Sequence, residues 1–231
     1  MIGIIVAMAL EREAIQQHLE DYKCVNYGRQ NYYIGTISGR DVTLAECGVG
    51  KVASAITATR LIEHFGCDEI INIGTAGGIK EYENVLDVVV VDKSTYHDWD
   101  NESVNDEPRS FVTQNGYVFD SDPHLVELAR KTMEQFSDHK TYVGHIVSGD
   151  AFVRFDDLVQ MIQKNFPEAV ACDMESASIG HVCTMYDVPF VVIRSLSDIV
   201  IKEGNEMDFL TYARQASDRA ARFTKAFLER H

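Results

Sequence analysis

Five apolar, β-branched runs, at 2 to 8, 69 to 73, 85 to 91, 142 to 147 and 189 to 196, punctuate this chain, and most lead into a stretch with helical periodicity. Runs that are apolar at nearly every position suit strands buried on both faces, and such strands need crossover helices to cover them. Helices are expected over about 11 to 22, 51 to 65, 122 to 136, 156 to 164, 174 to 186 and 206 to 229, with Ser121 and Asp122 as N-cap residues. The interval from Lys23 to Glu46 breaks the pattern. There Asn31 to Thr36 and Asp41 to Glu46 flank Ser38-Gly39-Arg40, which predicts an antiparallel hairpin inserted in a mostly parallel sheet. The stretch from Asp98 to Gly116 is polar, acidic and without period, and is expected to be a long surface loop.

The chain has 231 residues, 45% of them hydrophobic, and no linker or repeat, so residues 1–231 are expected to form a single domain. Its 36 acidic and 21 basic residues give a net charge of −15, which repels both a nucleic-acid backbone and an anionic membrane surface. Five scattered cysteines without a CxxC pair indicate reduced thiols and a cytoplasmic setting. Met1 to Leu10 is apolar enough for a signal segment, but no basic residue precedes it and Glu11-Arg12-Glu13 follows; a buried first strand is expected instead. No segment has the length and apolarity of a bilayer span.

Chemistry-bearing residues recur where the apolar runs end, which is where an open α/β sheet forms its ligand crevice. Glu11 follows the first run, Gly74-Thr75-Ala76-Gly77-Gly78 the second and Ser148-Gly149-Asp150-Ala151-Phe152-Val153 the fourth. Ala171-Cys172-Asp173-Met174-Glu175 precedes a helix, and Arg194-Ser195-Leu196-Ser197-Asp198 ends the last run. Each has an ordinary explanation beside the functional one. Glu11 and Glu13 are both first-turn acids that a helix dipole favours; the glycines close tight turns; Phe152 suits a core as well as a stacking platform. Two carboxylates and Arg194 at buried strand ends are harder to explain that way, because such charges are costly unless paired or bound to a ligand. The histidines show neither HExxH nor close pairing, so no metal site is expected. Cys172 is expected to be an inert buried thiol, and His97 to be packed or exposed rather than polarised by Asp98. Neither the P-loop nor the dinucleotide fingerprint is present.

Taken together, the ordered segments resemble the 5′-methylthioadenosine/S-adenosylhomocysteine nucleosidases of the purine and uridine phosphorylase superfamily. The matches are Gly3-Ile4-Ile5 with Ala7-Met8 and Glu11, Gly48-Val49-Gly50-Lys51-Val52, Gly74 to Gly78, Tyr96-His97-Asp98, Ser148 to Phe152, Met174-Glu175 and Arg194 to Asp198, spread over nearly the whole chain. The resemblance implies a three-layer α/β sandwich with a central mixed, mostly parallel β-sheet, a homodimer, and hydrolysis of an N-glycosidic bond without cofactor or metal. Carried onto matching positions, it makes Asp198 the proton donor to adenine N7 and Glu11 the activator of water, helped by Arg194 and Thr75. Glu175 and Met174 hold the ribose; Phe152, Val153 and Gly77 meet the base, with Ser197 supporting Asp198. Met8, Val49 and Phe209, with Asn101 and Val104, are assigned to the pocket for the 5′ substituent.

The sequence also departs from the family pattern. After His97-Asp98 the family continues with aspartate, an apolar residue and Thr-Ala-Phe-Gly-Tyr, whereas this chain has Trp99-Asp100-Asn101-Glu102-Ser103-Val104-Asn105. That leaves the 5′ preference open among methylthioadenosine, S-adenosylhomocysteine and 5′-deoxyadenosine. Thr75 for serine and Asp173 for glutamate keep the functional group. A futalosine hydrolase and a phosphorylase of the same superfamily are alternatives, as is a non-catalytic nucleoside-binding sensor. A phosphorylase needs basic groups around an anion, and near the first strand only Arg12 offers one, beside the repelling Glu11.

Overall fold

The computed structural model describes residues 1–99, 117–154, 156–202 and 205–231. Strands β1 (Ile2–Val6), β4 (Arg40–Glu46) and β5 (Glu69–Gly78) run parallel in the order β4-β1-β5, and β3 (Gln30–Ile37) and β2 (Glu20–Tyr27) extend the sheet antiparallel beyond β4. On the other side, β5 pairs parallel with β10 (Phe190–Ile199), β10 antiparallel with β6 (Val88–Tyr96), and β6 parallel with β8 (Thr141–Ser148). The short β9 (Ala171–Asp173) then pairs parallel with β8 and antiparallel with the last two residues of β5, which closes a ring of five strands. β7 (Val118–Asp120) lies on β6. The sheet is therefore mixed, as expected, but half of it is rolled into a barrel that the apolar runs alone do not reveal.

Two helical layers cover it. Helices α1 (Ala9–Gln16), α3 (Pro123–Met133) and α6 (Asn205–Leu228) bury Ile15, Leu125, Met133, Phe223 and Phe227 against Ile4, Ile71 and Val191 on one face. Helices α2 (Lys51–Glu63) and α5 (Ser176–Met185) bury Leu61, Ile179 and Cys183 against Ile5, Ile70 and Val192 on the other. A third cluster under α4 (Asp156–Asn165) joins Val159, Ile162 and Phe166 to Val153, Cys172 and Val200. Asp122 caps α3 as predicted, accepting from His124 N and Leu125 N at 2.9 and 3.0 Å. Among the described residues no helix is long and apolar enough to cross a membrane, and all five cysteines are free.

Some boundaries differ from those expected. The first helix ends at Gln16 rather than near 22, because the chain turns at Gln17 and His18 and strand β2 begins at Glu20. β2 is an exposed edge strand with polar residues on both faces, so neither alternation nor apolarity marks it. The hairpin of β3 and β4 turns at Ser38 and Gly39, whose φ values of 51° and 75° are those of a two-residue hairpin turn. The run at 85 to 91 starts β6 late, at Val88, after Leu86 in a left-handed conformation, and β6 continues to Tyr96. β7 and β9, three residues each, are too short for periodicity to find. The expected surface loop from Asp98 to Gly116 falls largely outside the described residues.

Phe223 is fully buried in α6, with its ring 5.1 Å from that of Phe136 beyond α3. Phe223→Ala should cost about 3–5 kcal/mol from lost transfer energy and the cavity left behind. A lower urea midpoint at unchanged denaturant slope checks it.

Candidate active site

β5 parts from β1 after Asn72 and takes up β9 only at Gly77, so one edge of the segment from Ile73 to Ala76 is left without a strand partner. A cavity of about 120 Å³ opens there. Splitting neighbours make such a crevice at the carboxyl ends of parallel strands. Every predicted site residue within the described set lines it: Met8 and Glu11 at the start of α1, Val49 before α2, and Thr75 and Gly77 on β5. The rest are Phe152 and Val153 after β8, Met174 and Glu175 after β9, Arg194, Ser197 and Asp198 on β10, and Phe209 on α6. Asn101 and Val104 lie outside the described residues.

Glu11 is 1% exposed, and its carboxylate gathers backbone donors from two strand ends. Oε2 accepts from Ala7 N at 3.0 Å and Met8 N at 2.9 Å, while Oε1 accepts from Thr75 N at 2.9 Å and Thr75 Oγ1 at 3.3 Å. Burial raises its pKa above the ordinary 4.5, and the Met8 amide and the Arg194 charge oppose that rise. Gly74 makes room for it: a Cβ at that position would lie 2.6 Å from Glu11 Oε1. Glu13 stays on the surface in an ion pair with Arg12, which separates the two first-turn acids that sequence position could not.

Arg194 is 2% exposed and clamped. Its Nε and Nη2 donate to Asp173 Oδ2 at 3.1 and 2.8 Å, and Nη2 also donates to Ser176 Oγ at 2.9 Å and to Asn72 Oδ1. Asp173 is itself held by Ser148 Oγ at 2.5 Å and by Ser176. Asn72 ties the cluster to β1 by donating to Ile5 O at 3.0 Å. The sequence reads Asp173 as an acid-for-acid change and assigns no role to Asn72, Ser148 or Ser176. The available signal was an asparagine inside the run Ile70-Ile71-Asn72-Ile73, where a buried polar side chain must have a partner.

Glu175 precedes α5 and accepts Gly50 N at 2.8 Å. Burial first, then the neighbouring Asp173, pushes its pKa up. Gly50 has φ 102°, a conformation that side chains rarely adopt, and this is how its amide comes to face the carboxylate. Asp198, 2% exposed, accepts from Ser197 Oγ at 2.9 Å. A bulge in β10 between Leu196 and Asp198 lets both Ser197 and Asp198 line the cavity although they are adjacent. Cys172 lies beside them with its thiol pushed well up by burial and then by Asp198, which makes it an inert thiol. Phe152 and Phe209 meet edge to face with centroids 5.4 Å apart at the cavity mouth, where Val49 is 57% exposed. His97 is packed, at 5% exposure.

The cavity thus offers a buried carboxyl of raised proton affinity from α1, another buried carboxyl on β10, a fixed guanidinium and an aromatic mouth. Among the described residues no group of His, Cys, Asp and Glu could hold a metal ion.

The phosphorylase superfamily profile matches residues 1–229. A curated 5′-methylthioadenosine/S-adenosylhomocysteine nucleosidase from Pseudoalteromonas translucida is 38% identical, over 99% of this chain and 97% of the relative. The nucleosidase of Neisseria meningitidis, solved with methylthio-immucillin-A, superposes with a TM-score of 0.92 at 33% identity, covering 99% of this chain and 98% of that one. The futalosine hydrolase of Helicobacter pylori superposes with a TM-score of 0.91 at 27% identity, covering 99% and 97%.

Asp173→Asn should leave the buried Arg194 guanidinium without its ion-pair partner. A loss of about 3–5 kcal/mol is expected, the usual cost of breaking a buried pair from one side. Equilibrium unfolding at neutral pH checks it, with Asp68→Asn as the control, since that surface partner of the N-terminus is largely exposed.

Proposed function

The chain belongs to the 5′-methylthioadenosine/S-adenosylhomocysteine nucleosidase family of the phosphorylase superfamily, and on that premise we propose that it hydrolyses the N-glycosidic bond of these two nucleosides, releasing adenine and the 5-substituted ribose. The observation that carries this reading is the meeting, in one cavity, of two buried carboxyls from opposite ends of the chain, Glu11 and Asp198.

Cleavage leaves positive charge on the sugar and negative charge on the base. A donor at the base and a carboxylate-activated water at the sugar answer the two ends. Asp198, held by Ser197, gives its proton to purine N7. Glu11 takes a proton from water, and its rise above the ordinary carboxyl range strengthens it as a base. Thr75 Oγ1 and Arg194 orient that water. Glu175 accepts from the ribose hydroxyls with Met174 packed beside it, and its negative charge favours the cationic sugar. Phe152 stacks on the base, whose edge is read by the Val153 backbone, and Gly77 lets the base approach β5. Met8, Val49 and Phe209 receive the 5′ group.

Hydrolysis is favoured over phosphorolysis because Arg194, the sole cation among the described lining residues, is already neutralised by Asp173. A sensor that only bound nucleosides would have no use for a buried base poised at the water position. Futalosine, with its larger polar 5′ group, is a second reading, favoured by the polar, acidic sequence from Trp99 to Asn105. 5′-Deoxyadenosine fits the same base and ribose contacts.

The protein acts as a homodimer in this reading. Val49, Val52 and Ile56 form an apolar stripe along the start of α2, at 57%, 71% and 46% exposure, which a second copy would cover. With its thiols free, the enzyme suits a cytoplasmic setting.

Purified protein should release adenine from methylthioadenosine without added phosphate; strict phosphate dependence would overturn the hydrolase reading. Glu11→Gln and Asp198→Asn should each lower kcat by about 10²- to 10⁴-fold. Glu11 must be ionised to act and its pKa is raised, so the acid limb of kcat/KM should lie above pH 4.5. Activity falls as pH drops through that limb, and a limb at or below 4.5 would remove Glu11 as the base. Val52→Asp should yield a monomer in sedimentation velocity; an unchanged dimer would place the interface elsewhere.

A further inference from the structure

Glu83 is a fully buried carboxyl that the chemistry above does not use. It lies in the turn between β5 and β6. Its Oε2 accepts Lys80 N at 3.0 Å and its backbone carbonyl accepts Lys202 Nζ at 3.3 Å, but among the described residues nothing hydrogen-bonds to Oε1. A carboxyl needed only to close the turn could leave its second oxygen in water, and burying that oxygen instead is costly.

Its position is specific. A Cβ on Gly77 would lie 3.3 Å from Asp198 Oδ2 and 3.4 Å from Cys172 Sγ, and a Cβ on Gly78 would lie 2.7 Å from Glu83 Oε2. Neighbouring strand residues face opposite sides, so Asp198 and Glu83 stand back to back across the last two residues of β5. Leu196 and Ile199 share the side of Glu83, at 2.9 and 2.8 Å from the same Gly78 position, while Ser197 and Asp198 take the cavity side of the bulge.

The ionisable groups around Glu83 are Lys80, Tyr82 and Asp87 of its own turn, Lys202 after β10, Tyr142 on β8 and Cys172 on β9. Of the two lysines, Lys80 directs its ammonium to Pro167 O at 2.6 Å. Cys172 feels both the Asp198 and the Glu83 charge. Burial pushes the Glu83 pKa up to about 7, with the nearby Asp87 adding to the rise, so its charge forms across the neutral range.

We propose that Glu83 is a positioning residue of the reaction, whose negative charge behind the Gly77-Gly78 pair holds the proton on Asp198 until the purine takes it. This rests on Asp198 being the acid of the proposed hydrolysis. A like charge disfavours ionisation of its neighbour. Two unit charges on the order of 10 Å apart, at an effective dielectric of about 20, shift each other's titration by roughly one pH unit.

The test is the titration of Asp198 by carboxyl carbon-13 NMR in the wild type and in Glu83→Gln, which keeps an acceptor for Lys80 N. Removing the charge should lower the Asp198 midpoint by roughly one unit, and lower the alkaline limb of kcat/KM with it, since the acid must be protonated to act. A purely structural Glu83 would change thermal stability and leave both midpoints in place. An unmoved Asp198 midpoint in folded Glu83→Gln overturns the proposal. If that variant does not fold, Glu83→Met, which fills the space beside Leu196 and Ile199 without a polar atom, removes the same charge: the Asp198 midpoint should fall likewise, and its constancy would be equally fatal. Neither titration needs turnover, so a failure to release adenine would sink the hydrolase reading alone.

Discussion

The buried ion pair of Arg194 and Asp173 is the interaction on which the rest of the site depends. A guanidinium at 2% exposure cannot remain in a protein interior unless its charge is matched and its N–H groups are used. The partners come from β9, β5 and the first residue of α5, so the pair fixes where three elements meet β10. Ser148 at the end of β8 and the Asn72 link to β1 extend the same network to both sides of the sheet. Once Arg194 is neutralised, the carboxyls around it are not. Glu175 keeps a raised proton affinity, and Glu11 is opposed only in part by the same guanidinium. With Arg194 already matched, each of these carboxyls that ionises adds uncompensated negative charge to the cavity, which suits the proposed reaction because that reaction builds a cation on a sugar.

Glycines along β5 do a second, steric part of the work. At Gly74 and Gly78 the space a side chain would fill is taken by the carboxyls of Glu11 and Glu83, and at Gly77 by Val200, with the Asp198 carboxyl 3.3 Å from the same position. A strand lined with Cβ atoms would keep these groups at arm's length. Bare backbone lets them pack against the sheet, and for Glu11 it also supplies the Thr75 amide as a donor. The same three positions explain why a weak-looking glycine segment carries so much of the site: its value lies in what it leaves out.

Much of this was legible in the sequence, and the reason is period. Runs apolar at every position identify doubly covered strands, and their ends locate the crevice, so β1, β5, β8 and β10 and the carboxyls after them could be placed before any coordinates. The β9 strand could not, at three residues, and with it went the barrel closure. Edge strand β2 is polar on both faces and so carries no burial signal. Glu11 and Glu13 are indistinguishable to a helix-dipole argument, and only the amides of Ala7, Met8 and Thr75 separate them. Asn72 and Asp173 were missed because single-residue reading ranks a group by its own chemistry, whereas these matter through the charge they hold in place.

The acid and the base of the proposed reaction pose opposite demands on one small, dry space. A base must lose its proton near neutral pH and an acid must keep its own, yet burial pushes every carboxyl the same way, toward protonation. The structure separates them through the opposing groups. Glu11 is given backbone amides and the Arg194 charge, which favour its anion against burial. Asp198 has the Ser197 hydroxyl on its carboxylate and the Glu83 carboxyl across the glycine pair, and its nearest cysteine is an inert thiol. Amides and a cation favour the anion of Glu11, and the like charge proposed behind the glycine pair favours the protonated form of Asp198. That asymmetry lets two similar residues take complementary roles in a cavity of about 120 Å³.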